Sequence, residues 1–281
     1  HYRVPRHFGG DAPLLRPPYD ASERATIIAR LFDVLFRVWG TELEGASERR
    51  VLQLIRLGVE AGRRDEVVVM ACAVADQWLG AQSRHAETAS LVEPLLELTG
   101  RNPALLLRAA VAKGFIGHGR ESGELLKEAV SASAQLADGL RAAILFKYIE
   151  WLRFQGEWDA VIGIGREELL PLLSRMGAVR ESAVTMGQIA DVLAARGDVD
   201  EALRIRREEE LPVYERLGDV RSMIVGRVNL ALLLLNRGEN HSEAVQHLTW
   251  SYQAAVRGRF QEAGQIAEIF QQLGLSAPEE T

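Results

Sequence analysis

Three glycines set the frame of this chain. Gly156, Gly197 and Gly238 each close an apolar helical run, at a constant step of 41 residues (197 − 156 and 238 − 197). A second marker keeps the same step: Leu170-Pro171-Leu172 returns as Leu211-Pro212-Val213, and Met176-Gly177 returns as Leu217-Gly218. A fixed period near forty residues, with one helical hairpin in each period, marks a helical repeat array. Each hairpin in such an array buries its apolar face against its neighbours, so the chain can lengthen without one large central core. That suits a length of 281 residues, beyond an ordinary single domain.

The hairpins can be followed from Asp20 onward. Asp20 with Glu23 predicts a capping box, opening a helix that carries Ile27, Ile28, Leu31, Leu35 and Val38 and ends near Gly40. Ser47 predicts the N-cap of a second helix, with Val51, Leu54, Ile55 and Gly58 on one face. A third, over 66–79, is apolar almost all round and is expected to be sandwiched between neighbours. A fourth runs over 86–99. Asn102-Pro103 supplies a capping side chain followed by a proline in the first turn. Further helices are expected at about 103–116, 122–137, 140–155, 158–176, 180–196, 199–217, 220–236, 242–257 and 260–273. Before Asp20, the prolines and glycines at 5, 9, 10, 13, 17 and 18 forbid a regular helix. Tyr2-Arg3-Val4 could form a short strand there, and the segment reads as a frayed terminus or the exit from a preceding domain. The resulting division is 1–20 as linker, 21–138 as divergent helical repeats, 139–275 as regular repeats with a C-terminal cap helix, and 276–281 as tail.

With the turn glycines Gly80, Gly119, Gly156, Gly197 and Gly238 as origins, the residues seven earlier are Ala73, Ala112, Ile149, Ala190 and Ala231. Those four earlier are Asp76, Phe115, Leu152, Leu193 and Leu234. A small residue lets two helices approach closely, and a large apolar one a turn later fills the groove beside it. Ala190, Leu193, Gly197 and Ala202, with Leu203 after it, resemble the small-x-x-large-x-x-x-Gly-x-x-x-x-Ala pattern of the tetratricopeptide repeat family. Ala231, Leu234, Gly238 and Ala244 repeat it after one inserted residue. The resemblance is specific over 140–257, weaker over 60–138 and only suggestive before 60. The period exceeds the family's usual 34, and Ile149 stands where a small residue is expected. The longer period is similar to that of sensor arms in bacterial signal-transduction NTPases of the nucleotide-switch type. The segment Tyr2–Arg6 faintly resembles the end of a winged-helix-like linker in such proteins. The resemblance implies an all-α, right-handed superhelical solenoid of about six hairpins.

Composition limits the function classes. A hydrophobic fraction of 47% with 26% charged residues is ordinary for a globular chain. The formal net charge of −6 argues against direct nucleic-acid binding, which needs a clustered basic excess. No uncharged apolar run approaches the length of a membrane span. The single cysteine, Cys72, fits a reducing compartment and reads as a small core residue. The start at His1, without a methionine or a leader, reads as a cytosolic piece of something longer or as a processed chain.

Several constellations invite chemistry and fail its requirements. Gly117 to Gly123 lacks the strand and the Gly-Lys-Ser/Thr ending of a phosphate loop, and Gly163-x-Gly165 sits inside a helix, where it allows close approach. Asp198 with Glu201 reads as a capping pair rather than a calcium loop. His241 and His247 point to different sides of a helix, so no metal is expected. No cofactor and no catalytic centre is expected, and the chain is not read as an enzyme. Arg204 to Glu210 reads as a solvated outer face, with a phosphate or partner site as the alternative. Pro94, Pro171 and Pro212, each six residues before a glycine, either kink each second helix around its neighbour or mark where it stops.

The resemblance implies a concave groove lined by the first helix of each hairpin. Carried over by position, its partner-binding residues are Met70, Gln77, Lys113, Phe146, Glu150, Arg153, Asp191 and Asn236, with Val74, Trp78, Ile116 and Val228 beside them. Such a mixture suits a protein or peptide ligand held by a few anchors in a polar frame. The stripe Phe146, Glu150 and Arg153 is expected to be the recognition centre, because Ile149 breaks the packing rule beside it. The leading expectation is a cytoplasmic, non-catalytic ligand-sensing arm of a larger bacterial signalling or defence protein. The alternatives are a free-standing scaffold and a small-effector sensor of a transcriptional regulator. A scaffold could self-associate through the terminal helix, whose Phe260, Ile266, Ile269, Phe270 and Leu273 offer an apolar face.

Overall fold

Helix starts and stops follow local chemistry throughout the computed structural model, which describes residues 20–39, 47–238 and 240–278. The expected strand at residues 2–4 and the rest of the N-terminal segment lie outside these. Among the described residues there is no strand, and no helix is long and apolar enough to cross a membrane. The chain divides into two compact units, 1–129 and 130–281.

The first unit holds α1 (Ala21–Trp39), α2 (Glu48–Glu60), α3 (Arg64–Gly80), α4 (His85–Leu98), α5 (Pro103–Phe115) and most of α6 (Gly119–Ser131). The capping box forms at α1: the Asp20 amide donates to Glu23 Oε2 at 3.0 Å, and the Glu23 amide donates to Asp20 Oδ1 at 2.8 Å. At α5 the Ala104 amide donates to Asn102 Oδ1 at 2.9 Å, with Pro103 filling the first turn where an amide would go unused. Ser47 holds the N-cap position of α2, but its hydroxyl makes no capping bond. The apolar helix α3 packs against α2 on one side and α4 and α5 on the other, as its all-round apolarity predicts. Helix α6 starts earlier and stops sooner than 122–137, because Ser133 turns the chain: its amide and hydroxyl both bond the Val130 carbonyl.

The repeat register inferred for this unit does not hold. Gly80 is the last residue of α3 and Gly119 the first of α6; the left-handed glycine between α5 and α6 is Gly117, at φ +89°. The column counted from Gly80 is out of phase, and that counted from Gly119 holds only at Ala112, which is fully buried. Ala73 is exposed rather than packed, and Phe115 is 69% exposed, lying flat on the His85 ring at 4.2 Å.

The second unit holds α7 (Asp138–Gln155), α8 (Trp158–Ile164), α9 (Leu170–Met176), α10 (Val179–Arg196), α11 (Val199–Arg204), α12 (Leu211–Leu217), α13 (Val220–Arg237), α14 (His241–Arg257) and α15 (Glu262–Gln272). Here the register is realised. Ile149, Ala190 and Ala231 are fully buried, and Leu152, Leu193 and Leu234 fill the neighbouring core positions. The marker glycines close the helices in the left-handed conformation: Gly156, Gly197 and Gly238 have φ of +77°, +94° and +73°. At Gly197 the amide bonds Ala194 O, while the Asp198 amide reaches back to Leu193 O at 2.8 Å, a Schellman closure that satisfies the last carbonyls. Asp198 itself makes no capping bond, contrary to the capping pair expected from sequence. Glu201 instead receives Arg204 at 2.8 Å and Arg166 at 3.0 Å.

Two long second helices carry a wide π turn at the same phase. Residues Gly165–Leu169 join α8 to α9, and Ile205–Glu210 join α11 to α12. Each precedes a Leu-Pro pair. A proline lacks the amide and crowds the carbonyl four residues back, and the wide turn accommodates that loss without ending the helix. Pro94 lies within α4, which stays a continuous α-helix. Gly165 makes room for α10: a Cβ there would come 2.9 Å from Ile189 Cδ1, while Ile149 Cδ1, at 3.9 Å, lies at ordinary contact distance. Gly163 has nothing within 4 Å, so of this glycine pair only Gly165 allows close approach.

The terminal helix differs from expectation. Ile266 and Phe270 are each 2% exposed, and Phe260, Ile269 and Leu273 pack partly buried onto the same core with Tyr252. The apolar face of α15 is thus turned inward as a cap, which removes the surface on which self-association through this helix was expected.

Candidate functional site

The proposed groove residues fall into four groups. Met70 is fully buried in the α3 core, so it is a packing residue; its assignment came from the shifted register. Gln77 is exposed on α3, and Asn236 is exposed near the end of α13. Lys113 is largely covered, its ammonium held between Glu93 of α4 and Glu121 of α6 at 2.5 and 2.8 Å. Those two carboxylates raise its pKa, so it is a fixed cation within its unit rather than an open contact.

Residues of α7 and α10 do come together. Phe146 packs half-buried on the core of α7 to α9, with the Lys147 ammonium 5.8 Å from its ring. Lys147 also pairs with Glu150 Oε2 at 2.7 Å. One turn on, Arg153 donates to Asp191 Oδ2 at 3.0 Å. Asp191 is then shared: its Oδ1 accepts from Arg206, which reaches in from the π turn. The second arm of Arg206 donates to Glu210 Oε2 at 2.7 Å. The side chains of Arg206 and Glu210 are 3% and 6% exposed, while that of Asp191 is 35% exposed. A chain of four charges therefore runs from the surface at Arg153 and Asp191 into the core.

This corrects the reading of Arg204 to Glu210 as one solvated face. Arg204 is exposed, as a solvated face requires, and pairs with Glu201 and Glu209. Arg206 and Glu210 lie on the stripe of Ala202 and Leu203, the inward side of the helix. Two glycines make space for the buried carboxylate. A Cβ on Gly187 of α10 would come 2.5 Å from Glu210 Oε1, and one on Gly226 of α13 would come 3.4 Å from the same atom. Burial pushes the Glu210 carboxyl above the usual range against the pull of Arg206, with Asp191 adding to the rise. Burial likewise raises the nearby Tyr214 hydroxyl, with Glu210 contributing. In the preceding repeat the positions equivalent to Arg206 and Glu210 are Gly165 and Leu169, both buried, so the ion pair is particular to this hairpin.

Beside the network the surface opens into a cleft of about 390 Å³ between α9, α10 and α12, with Met186 and Glu209 on its wall. Among the described residues, no three His, Cys, Asp or Glu side chains are grouped so as to hold a metal ion. Cys72 is half-buried, and burial raises its thiol pKa, as in an unreactive core cysteine.

His247 of α14 supplies a pH dependence. Burial first, then Arg227 and Arg207, lower its pKa, while Glu243 at 3.7 Å opposes them. A base with a depressed folded pKa binds protons more readily when unfolded, so its contribution to stability is present above about pH 6.5 and is lost as pH falls below that. The melting temperature of the wild type is expected to fall between pH 7 and 5 more steeply than that of His247→Gln. Parallel curves would exclude the histidine as the cause.

No family model matches the sequence, and no curated protein matches it. Solved structures do. The chain is similar to a signal transduction ATPase with numerous domains, carrying a tetratricopeptide repeat sensor, from Pyrococcus horikoshii. The TM-score is 0.54 at 13% identity, over 92% of this chain and 38% of that one. It also overlaps BtubC from P. vanneervenii, with a TM-score of 0.46 at 16% identity over 94% and 96% of the two chains, too loose a likeness to carry an argument. The first likeness, with the all-helical course of the described residues, is consistent with a helical-repeat fold of the tetratricopeptide type. This chain spans 38% of the length of that ATPase.

Proposed function

We propose that this chain is a non-catalytic protein-recognition arm, acting as the sensor of a larger signalling protein in the manner that the ATPase's tetratricopeptide repeat sensor suggests. The observation that carries the proposal is the sharing of Asp191 between the surface Arg153 and the buried Arg206. A partner that competes for Arg153 or Asp191 at the surface changes the charge balance around Arg206 and Glu210. Buried charges are costly unless fully paired, so such a change is felt through the packing of α10 and the π turn. Binding at the surface would in this way favour one arrangement of the hairpin over another and shift a coupled domain between states.

The test is capture of a partner from the native host by wild-type protein and by Arg153→Glu. The Arg153–Asp191 pair is about one-third exposed, so its loss costs at most about 1 kcal/mol of stability. The variant is expected to keep its helicity and melt within a few degrees of wild type, yet lose the partner. Undiminished capture by Arg153→Glu would overturn the assignment of this face.

A further inference from the structure

The cleft beside Met186 can be compared with the same place one repeat later, where larger groups stand. The step of 41 residues takes Ser174 to Glu215, Ser182 to Met223, Ala183 to Ile224 and Met186 to Arg227. Beyond the single inserted residue, Glu208 corresponds to Trp250, as Ala202 does to Ala244. In the later repeat Arg227 lies 4.4 Å from the centroid of the Trp250 ring and pairs with Glu215 at 2.7 Å. Met223 and Ile224 are buried beneath, and Trp250 packs partly buried onto the core. In the earlier repeat every one of these positions carries a smaller or different group. Serine and alanine replace methionine and isoleucine, and an exposed glutamate stands where the indole would originate. What remains is the open cleft, walled by Leu170, Leu173, Ala183, Met186 and Val213.

We propose that this cleft takes a tryptophan side chain presented by the partner, seated as Trp250 is seated by the chain itself one repeat later. This rests on the protein-recognition reading. The walls are largely apolar, and the Met186 thioether is a favourable neighbour for an aromatic face. The cleft volume of about 390 Å³ sits at the small end of ligand sites, the size for one large side chain. A single polar group completes the match. Glu209 lines the cleft, and its Oε1 pairs with Arg204 at 2.7 Å. Its second oxygen is an acceptor for an indole N–H, which buried tryptophans normally satisfy. The same carboxylate disfavours an acidic occupant, and a leucine side chain would leave that acceptor unused.

The four methionines, Met70, Met176, Met186 and Met223, make the test direct. Methyl-labelled protein is titrated with N-acetyl-tryptophanamide and, separately, with N-acetyl-leucinamide. The Met186 methyl is expected to shift saturably with the tryptophan probe, with a dissociation constant on the order of 1 mM. Met70 stays still, and the leucine probe binds at least tenfold more weakly. The double substitution Met186→Arg with Glu208→Trp installs the pair found one repeat later and closes the cleft. Ser182→Met fills it from another wall should the first variant fold poorly. In either variant the affinity for the probe is expected to fall at least tenfold, read from tryptophan-probe resonances. No Met186 shift, equal shifts with both probes, or unchanged affinity in Ser182→Met overturns the proposal. Partner capture that depends on Arg153 but survives Ser182→Met overturns the cleft alone and leaves the recognition face standing.

Discussion

Arg206→Ala is expected to destabilise the second unit by about 3–5 kcal/mol, the cost of leaving a buried charge without its partner. Glu210 would remain between Gly187 and Gly226 with no cation within the core, because Arg206 is the guanidinium that reaches it. The magnitude is a large share of the roughly 5–15 kcal/mol that holds an ordinary domain together. The pH dependence is diagnostic. Burial already holds the Glu210 carboxyl above the usual range, so the unpaired acid takes up a proton more readily folded than unfolded. The deficit of the variant should therefore shrink as pH falls towards 5 and grow as pH rises. Arg206→Met with Glu210→Leu removes both charges and imitates the apolar Leu169 of the preceding repeat; such exchanges of a buried pair are often neutral or stabilising. Urea denaturation of the two variants measures the difference. A double variant no more stable than the single one would show that the charges do not act as a pair.

Phe270→Ala is expected to cost about 3–5 kcal/mol, the range for truncating a buried aromatic. Phe270 is almost wholly enclosed and meets Tyr252 edge-on at 6.2 Å between centroids. With Ile266 it anchors the packing of α15 on α14, at the end of the last regular hairpin. For a unit of this size the loss corresponds to a fall in melting temperature of about 6–20 °C. The exposed face of α14 should then make the variant prone to associate. Light scattering after size exclusion reads both consequences. A variant that melts within 2 °C of wild type would mean that α15 is dispensable and that its apolar face is free for another role.

The helices and the second-unit register were legible because each is written in local signals: capping pairs, left-handed glycines and a constant period. Gly156, Gly197 and Gly238 mark true helix ends, so residues counted back from them fall on the buried stripe. In the first unit Gly80 and Gly119 resemble those markers in sequence and differ in conformation, so several residues counted from them, Ala73, Phe115 and Met70 among them, fall on the wrong face. The buried pair was missed for a different reason. Arg206 follows Ala202 by four residues and Leu203 by three, which is the core stripe; the run of charges around it suggested solvent. Gly187 and Gly226 carry no repeat signal, being 39 residues apart, although a glycine inside a helix costs about 1 kcal/mol relative to alanine and so implies a packing reason. The cleft depends on what Ser182, Ala183 and Glu208 fail to fill, which becomes visible only when two repeats are superimposed in space.

The most direct test of recognition through the α7 and α10 face is photo-crosslinking in the native host. A benzophenone amino acid replaces Glu150, which flanks Arg153 on the half-exposed stripe of α7, or Gln246, exposed on α14. A discrete protein adduct from position 150 that is absent from position 246, and that disappears on adding Arg153→Glu, is the expected result. No protein adduct at 150, or the same adduct from both positions, would contradict the recognition face.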